Sequence, residues 1–123
     1  MILHAKNIAK SFLNQNGKLS VFSNVSLNIK KGDLITIMGP SGSGKSTLLN
    51  ILGTLESFDK GELTINGKEI IKLSNESLSK IRNEYLGFVF QFHHLIPEFN
   101  ALENVLIPQQ IYEDKINDSY AKE

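Results

Sequence analysis

A glycine-rich run in the first half of the chain has the residue types and the spacing of a phosphate-binding loop. Gly39–Thr47 fits the pattern G-x-x-x-x-G-K-[ST] at every specified position. Glycine reaches positive φ without steric cost, so the run can wind tightly and turn successive backbone N–H groups toward one centre. Lys45 adds a positive charge for the outer phosphates, and the Ser46 hydroxyl is suited to Mg²⁺. The residues of the predicted cradle are Gly39, Pro40, Ser41, Gly42, Ser43, Gly44, Lys45, Ser46 and Thr47.

The segments on either side of this loop are of the kind that such a site needs. Leu34–Met38 is short and nearly all apolar, which predicts a buried strand of a parallel sheet. Thr47–Leu52 carries apolar residues on one helical face and stops at Gly53, which predicts a helix. The positive end of that helix would then point at the phosphate site. This context favours a phosphate-binding site over a merely flexible glycine loop.

An antiparallel ribbon is predicted before the loop and a hairpin after it. Ile2–Phe12 and Leu19–Ile29 are the predicted strands of the ribbon, joined by the turn residues Asn14–Gly17. Lys31–Asp33 is predicted to turn the chain into the core strand. After the first helix, strand-like segments flank Asn66–Gly67, which is a strong signal for a tight hairpin.

The second half of the chain predicts short helices and one more strand. Ser74 or Asn75 can cap a helix, and Leu86–Phe90 is a second candidate for a buried strand. Asn100–Glu103 resembles a capping box, and it opens a helix that we expect Pro108 to end. Further helices are predicted over Gln109–Lys115 and from Asp118.

The composition limits the classes of function. The 123 residues carry 13 basic and 13 acidic side chains and no cysteine. A net charge of zero gives no indication of a nucleic-acid partner, and the lack of cysteine rules out disulfides and thiolate metal sites. The longest apolar runs are far too short to span a bilayer. We therefore expect a cytoplasmic protein that takes any membrane role through a partner chain.

Together these landmarks resemble the ATP-binding subunit of ABC transporters. The likeness rests on the glycine loop, on the ribbon before it, and on Gln91, which follows the predicted strand Leu86–Phe90. It implies an α/β fold of the P-loop NTPase type, with an N-terminal antiparallel β ribbon and a partial core sheet. ATP and Mg²⁺ are the implied cofactors. In that family an aromatic residue near the end of the first strand stacks on adenine, and Phe12 occupies that place.

The resemblance implies a role for each site residue. Lys45 and Gln91 would act in the reaction, Ser46 and Gln91 would hold Mg²⁺, and Thr47 would meet the α-phosphate. Gln91 would belong to the family's Q-loop, which also contacts the membrane subunit. For Phe12 and Gln91 the alternatives are an aromatic residue that only packs in the ribbon and a glutamine that only lies at a strand end.

A narrower likeness points to the branch of the family that powers lipoprotein release from the bacterial inner membrane. It rests on Leu86–Phe99 and Ala101–Val105, and above all on Phe92–Leu95. Macrolide-export and cell-division subunits are similar here and remain alternatives. The implied partners are integral-membrane subunits, contacted through Gln91–Pro97, and a second ATP-binding subunit at the cytoplasmic face of the membrane. We do not expect His93 and His94 to bind zinc, because adjacent histidines rarely share a tetrahedral site.

Several parts of the family pattern are missing from the sequence. It contains no Leu-Ser-Gly-Gly-like signature, no apolar strand ending in Asp-Glu (Walker B), and no switch histidine after such a strand. We therefore expect residues 1–123 to form a partial ATP-binding domain that binds nucleotide weakly and does not turn over. A different P-loop enzyme, such as a nucleotide kinase, and an inactive gene fragment are the alternatives.

Overall fold

The fold is described here by a computed structural model, which covers residues 1–15, 17–92 and 94–112. These residues belong to two units, Met1–Ser74 and Asn75–Glu123. In chain order the elements are β1 (Leu3–Asn14), β2 (Gly17–Ile29), α1 (Lys45–Leu52), β3 (Lys60–Ile65), β4 (Lys68–Glu69), a 3₁₀ turn (Ile70–Lys72), α2 (Asn75–Tyr85) and α3 (Ala101–Tyr112). Of the described elements, the first unit therefore holds the strands and the glycine-rich loop, and the second unit holds α2 and α3.

The sheet of the first unit has four strands in the order β2-β1-β3-β4, with antiparallel neighbours. The predicted ribbon is confirmed: the β1–β2 register runs from Leu3 opposite Ile29 to Asn14 opposite Gly17. Asn16, within the predicted turn, lies outside the described residues. In this order β1 pairs with β2 on one side and β3 on the other, so it is a central strand of the sheet.

The predicted hairpin at Asn66–Gly67 is also confirmed, although its second strand is short. Asn66 and Gly67 have φ of 46° and 77°, and positive φ at both positions is typical of the tight turn that suits a twisted hairpin. β4 ends at Glu69, and the chain then enters the 3₁₀ turn that buries Ile70.

A glycine is required where β3 crosses an irregularity in β1. The pairing of β1 with β3 shifts between Lys6 and Ala9, and Asn7 has a φ of 52°. A Cβ added to Gly61 would lie 2.6 Å from the carbonyl oxygens of Lys6 and Asn7. Since Gly61 also has a φ of 108°, no other residue fits this crossing without a shift of the backbone.

The core of the first unit combines the sheet with α1. Ile8 of β1, Ile51 of α1 and Leu63 of β3 are completely buried. Helix α1 buries Leu48, Ile51 and Leu52, which is the helical spacing expected from the sequence, and it ends at Gly53 as predicted. Each such side chain contributes about 1.5–3 kcal/mol when fully buried, so the core fixes α1 and the loop before it.

The prediction that Leu34–Met38 forms a buried strand is wrong. Residues 34–38 have no regular secondary structure, and Leu34 and Met38 are 97% and 85% exposed. The predicted strand Leu86–Phe90 is wrong for the same reason, since Val89 is fully exposed. Both segments have the composition of buried strands, but a strand forms only when a neighbour pairs with it, and no described strand pairs with either.

In the second unit the predicted capping box is confirmed. The Asn100 side chain accepts a hydrogen bond from the Glu103 amide at 2.9 Å, and the Glu103 carboxylate accepts one from the Asn100 amide at 2.7 Å. α2 begins at Asn75, directly after Ser74, one of the two predicted caps, and buries Ile81. The two hydrogen bonds between Asn100 and Glu103 fix where α3 begins.

Pro108 does not end α3, contrary to the prediction. The helix continues through Pro108 to Tyr112, so Gln109–Tyr112 is part of α3 rather than a separate helix. The Asn83 side chain of α2 donates a hydrogen bond to the Pro108 carbonyl oxygen. Packing of α2 against α3 thus outweighs the lost backbone hydrogen bond. Residues 113–115 and the predicted cap Asp118 lie outside the described residues.

Candidate functional site

The glycine-rich loop is wound back on itself before α1 begins. Gly42 and Gly44 have φ of 78° and 87°, the left-handed region that glycine enters at no steric cost. The Ser43 amide donates to the Pro40 carbonyl oxygen at 3.3 Å, which closes a turn. A Cβ added to Gly39 would lie 2.7 Å from Ser43 Oγ, so the two ends of the turn approach closely.

Gly44 allows the loop to pack beneath β2. It is the N-cap of α1, and the Leu48 amide donates to its carbonyl oxygen at 2.8 Å. A Cβ at Gly44 would lie 2.6 Å from Val21 Cγ1 and 3.0 Å from Phe22 Cδ1. Because no side chain caps this helix, the first amides of α1 can donate to an anion, which the helix dipole also favours.

The Lys45 side chain folds back over the loop. Its ammonium group donates to the carbonyl oxygens of Gly39 at 2.9 Å and Pro40 at 2.7 Å. The loop, Lys45 and apolar side chains of β2 and α1 line a cavity of about 260 Å³. An ammonium, the amides at a helix N-terminus and an adjacent cavity can together bind a polyphosphate chain.

Ser46 and Thr47 occupy the first turn of α1, directly after Lys45. The exposed Ser46 hydroxyl is a hard oxygen ligand of the kind that Mg²⁺ prefers, beside the place where phosphate oxygens would bind. Among the residues that the structure describes, no group of three or more His, Cys, Asp and Glu side chains could hold a metal ion.

Phe12 lies near the end of β1 with its ring 44% exposed. It pairs across the ribbon with Leu19, and the ammonium of Lys10 lies 5.0 Å from the ring centroid. The sequence reasoning missed Lys10. The signal was its position two residues before Phe12, which puts both side chains on one face of a strand.

Gln91 belongs to the second unit, whereas Phe12 and the loop belong to the first. It is exposed and follows Phe90, whose ring stacks on Phe88 at 5.6 Å and meets the His94 ring edge-on at 5.0 Å. His93 lies outside the described residues. Exposed apolar side chains cluster in this part of the chain at Val89, Phe90, Phe92, Leu95, Ile96 and Phe99.

Asn104 fixes the backbone that presents this exposed apolar segment. Its side-chain oxygen accepts from the Ile96 amide at 2.8 Å. Its side-chain nitrogen lies 3.0–3.2 Å from the carbonyl oxygens of Ile96, Phe99 and Asn100. The sequence reasoning missed this role, because the partners of an asparagine side chain depend on the loop conformation. These hydrogen bonds hold the backbone at residues 96–100, where the Ile96 and Phe99 side chains are exposed.

No helix within the described ranges is long and apolar enough to cross a membrane.

Comparison with known proteins places this geometry in a family. The ATP-binding protein LolD of the lipoprotein-releasing system from Alcanivorax borkumensis is 46% identical over 121 residues, covering 98% of this chain and 53% of the relative. LolD from Porphyromonas gingivalis is 51% identical over 111 residues, covering 90% and 49%. The chain thus spans about half the length of the curated relatives it matches.

Solved structures agree in fold. The dimeric ATP-binding cassette MJ0796, in a post-hydrolysis state bound to ADP and Pi, superposes with a TM-score of 0.89 at 40% identity, covering 98% of this chain and 53% of that structure. The α/β fold predicted from the resemblance is thereby confirmed. The sequence profile of the ABC transporter family matches residues 22–122, so the chain belongs to the ABC transporter family.

Proposed function

We propose that this chain carries the nucleotide-binding part of an ATP-binding subunit that powers a membrane transporter, with ATP and Mg²⁺ as cofactors. The observation that carries the proposal is the wound loop Gly39–Gly44 with the Lys45 ammonium folded over it at the start of α1. Family membership and the names of the relatives support the same function.

In the proposed site each residue of the loop has one task. The Gly39–Gly44 backbone cradles the phosphates, and Lys45 neutralises the β and γ oxygens. Ser46 is a ligand of Mg²⁺, and Thr47 meets the α-phosphate. Phosphoryl transfer depends on positioning and on charge neutralisation more than on covalent help from the protein, so such a site suits this reaction.

Phe12 and Gln91 complete the proposed set. Phe12 stacks on adenine through its exposed ring face, and base–aromatic stacking contributes about 1–3 kcal/mol per base. Gln91 helps to hold Mg²⁺, senses the γ-phosphate and reports to the membrane subunit. Its position after Phe90, in a loop of exposed apolar side chains, supports the contact with the membrane subunit.

We infer that Gln91–Pro97 contacts an integral-membrane subunit and that a second ATP-binding subunit completes the assembly. Phe92, Leu95 and Ile96 of this segment are exposed, and several exposed apolar side chains together are typical of an interaction surface. The structural relative is described as dimeric, which supports the second partner. The proposed location is the cytoplasmic face of the bacterial inner membrane, as a peripheral protein.

The proposed cargo is lipoprotein. The relatives that share 43–51% identity with this chain are named as ATP-binding proteins of the lipoprotein-releasing system. The Phe92–Leu95 stretch, on which the sequence resemblance rested, lies in the proposed contact with the membrane subunit. Residues that contact the membrane subunit are the ones we expect to differ between transporters with different cargo.

The proposal for residues 1–123 alone is weak binding of Mg-ATP without turnover. The sequence supplies the phosphate cradle but not the signature run or the Walker B carboxylates. Without the Walker B carboxylates, the attacking water would lack a base and Mg²⁺ would lack one ligand, so hydrolysis would not proceed. We expect no phosphate release above background, and a rate that disappears in Lys45→Ala would contradict this.

The experiment that tests the proposed function is equilibrium dialysis of the chain with radiolabelled Mg-ATP. Lys45→Ala should lower the affinity by at least about tenfold, because hydrogen bonds between charged groups are worth about 1.5–3 kcal/mol. Lys31→Ala, which removes an exposed lysine of the first unit, is the matched control and should bind like the wild type. Equal affinity for wild type and Lys45→Ala would refute the proposed site.

A further inference from the structure

Lys10 is buried, with only 8% of its surface exposed. Lysine is almost never fully buried unless it is paired, so this position needs an explanation. The phosphate site does not supply one, because Lys10 lies on β1 and does not line the cavity beside the loop.

Three contacts hold the Lys10 ammonium in one place. It donates to the Ser57 carbonyl oxygen at 2.7 Å and forms an ion pair with Glu56 Oε1 at 3.3 Å. The third contact is with the Phe12 ring, whose centroid lies 5.0 Å away, within the range of a cation–π interaction. A flexible side chain is thereby fixed against a ring that is itself partly exposed.

The segment that contacts the Lys10 ammonium, residues 56–59, also holds the backbone around Lys10. Asp59 accepts hydrogen bonds from the Ser11 amide at 2.9 Å and from the Ser11 hydroxyl. The Asp59 amide donates to the Ala9 carbonyl oxygen at 2.9 Å. Residues 56–59, in the segment after α1, therefore bind residues 9–11 of β1 through hydrogen bonds and an ion pair, directly before Phe12. The ring is connected to the helix of the phosphate loop through this short segment.

We propose that Lys10, held by Glu56, is a positioning residue for base recognition: it covers one face of the Phe12 ring and leaves the other face for the purine of a nucleotide. This inference rests on the proposed function, since it requires that Phe12 stacks on adenine. A fixed ring with one covered face loses less freedom when a base binds than a mobile ring would.

The experiment compares two ligands that differ in the base. In the proposed function, Mg-ATP contacts both the phosphate loop and Phe12, whereas Mg-tripolyphosphate, which lacks the base, contacts only the loop. Affinities are measured by ³¹P NMR titration, and saturation-transfer NMR detects whether the adenine H2 and H8 protons touch the protein. A variant that disturbs only base positioning should change the affinity for Mg-ATP and leave the affinity for Mg-tripolyphosphate unchanged.

Lys10→Met keeps an unbranched apolar side chain of similar length but removes the charge. We expect it to lower the affinity for Mg-ATP about three- to tenfold and to weaken the adenine signals, with tripolyphosphate unchanged. Lys10→Arg, which keeps a cation over the ring, should restore much of the loss. Glu56→Gln retains Lys10 but weakens its ion pair, so it should shift the ratio of the two affinities in the same direction. It provides the test if Lys10→Met fails to fold.

Phe12→Ala separates this inference from the proposed function. It should lower Mg-ATP affinity about tenfold and leave tripolyphosphate unchanged. If Phe12→Ala does this but Lys10→Met and Glu56→Gln leave the ratio of affinities at the wild-type value, Lys10 is not a positioning residue. If Phe12→Ala leaves the ratio unchanged, adenine stacking is wrong and the inference fails with it. Failure of tripolyphosphate to bind the wild type would instead refute the proposed phosphate site.

Discussion

The Lys45 ammonium is bound to two carbonyl oxygens of the loop that it would serve. A polyphosphate would offer it charged oxygens in place of the neutral carbonyls of Gly39 and Pro40. Hydrogen bonds between charged partners are roughly twice as strong as neutral ones. The exchange therefore favours phosphate binding, and the folded side chain keeps the charge near the loop before a ligand arrives.

Ser46 should make nucleotide binding depend on Mg²⁺. In the wild type, Mg²⁺ should strengthen ATP binding relative to the same titration in EDTA. In Ser46→Ala the hydroxyl ligand is lost, so we expect the gain from Mg²⁺ to fall by about tenfold, or about 1.4 kcal/mol. Isothermal titration with and without Mg²⁺ measures this. Ser20→Ala, at an exposed position of β2, is the control, and an undiminished Mg²⁺ effect in Ser46→Ala would remove Ser46 from the site.

At the scale of elements, β1 connects the parts of the first unit. It pairs with β2 and β3, carries Phe12, and is gripped at residues 9–11 by the loop after α1. Any distortion of its pairing should therefore reach the candidate nucleotide site.

Gly61→Ala and Gly67→Ala separate backbone strain from a steric clash. Both glycines have positive φ, but only at Gly61 would a Cβ meet backbone atoms, at 2.6 Å. We expect Gly67→Ala to lower the free energy of unfolding by about 1–2 kcal/mol and Gly61→Ala by clearly more. Urea unfolding followed by circular dichroism measures both. Equal losses would mean that β1 and β3 approach less closely than described.

Asp59 should make the first unit sensitive to acid. The hydrogen bond from the Ser11 side chain lowers the pKa of the Asp59 carboxyl below its usual value. A group with a lowered pKa stabilises the fold above its unfolded pKa, about 3.9, and this contribution is lost as the pH falls through the folded pKa. Wild type should thus be more stable than Asp59→Asn from pH 7 to about pH 5, and the difference should shrink below about pH 4.

Thermal unfolding of both proteins between pH 3 and pH 7 measures this difference. Glu62→Gln, which removes a carboxylate from β3 of the same sheet, is the control for a change of net charge. A difference between wild type and Asp59→Asn that stays constant through pH 3 would show that the Asp59–Ser11 contact does not depend on ionisation.

At the scale of the whole molecule, large apolar side chains remain exposed in both units. They include Leu34 and Met38 beside the phosphate loop and Val89, Phe90 and Phe92 around Gln91. Exposed apolar side chains in such numbers mark interaction surfaces or promote association. We therefore expect the 123-residue chain to self-associate with rising concentration.

Val89→Lys should reduce that association without a cost in stability. The Val89 side chain is fully exposed, so the substitution should change the free energy of unfolding by no more than about 0.5 kcal/mol. Sedimentation velocity measures association, and Val105→Lys, at an exposed position of α3, is the matched control with a smaller expected effect. A large loss of stability in Val89→Lys would mean that Val89 is buried in solution.

Local signals in the sequence predicted the local structure well. The turn at Asn66–Gly67, the capping box at Asn100 and the end of α1 at Gly53 follow from residue types that suit one backbone conformation. The errors came where a distant partner decides the outcome. Leu34–Met38 is exposed because no described strand pairs with it, and Pro108 stays inside α3 where that helix packs against α2.

The candidate site was predictable to a similar extent. The glycine pattern predicted a tightly wound loop with Lys45 beside it, because the spacing places the lysine directly after the last glycine. Lys10 and Asn104 were missed, because their roles depend on contacts with Glu56 and with residues 96–100 that the spacing does not reveal.

The most direct test of the phosphate cradle is an NMR titration of the ¹⁵N-labelled chain with Mg-tripolyphosphate. If the backbone amides bind phosphate, the resonances of residues 42–47 should shift together and saturate with one affinity, and Lys45→Ala should abolish the shifts. A titration in which these amides do not move, or in which Lys45→Ala shifts them equally, would contradict the account.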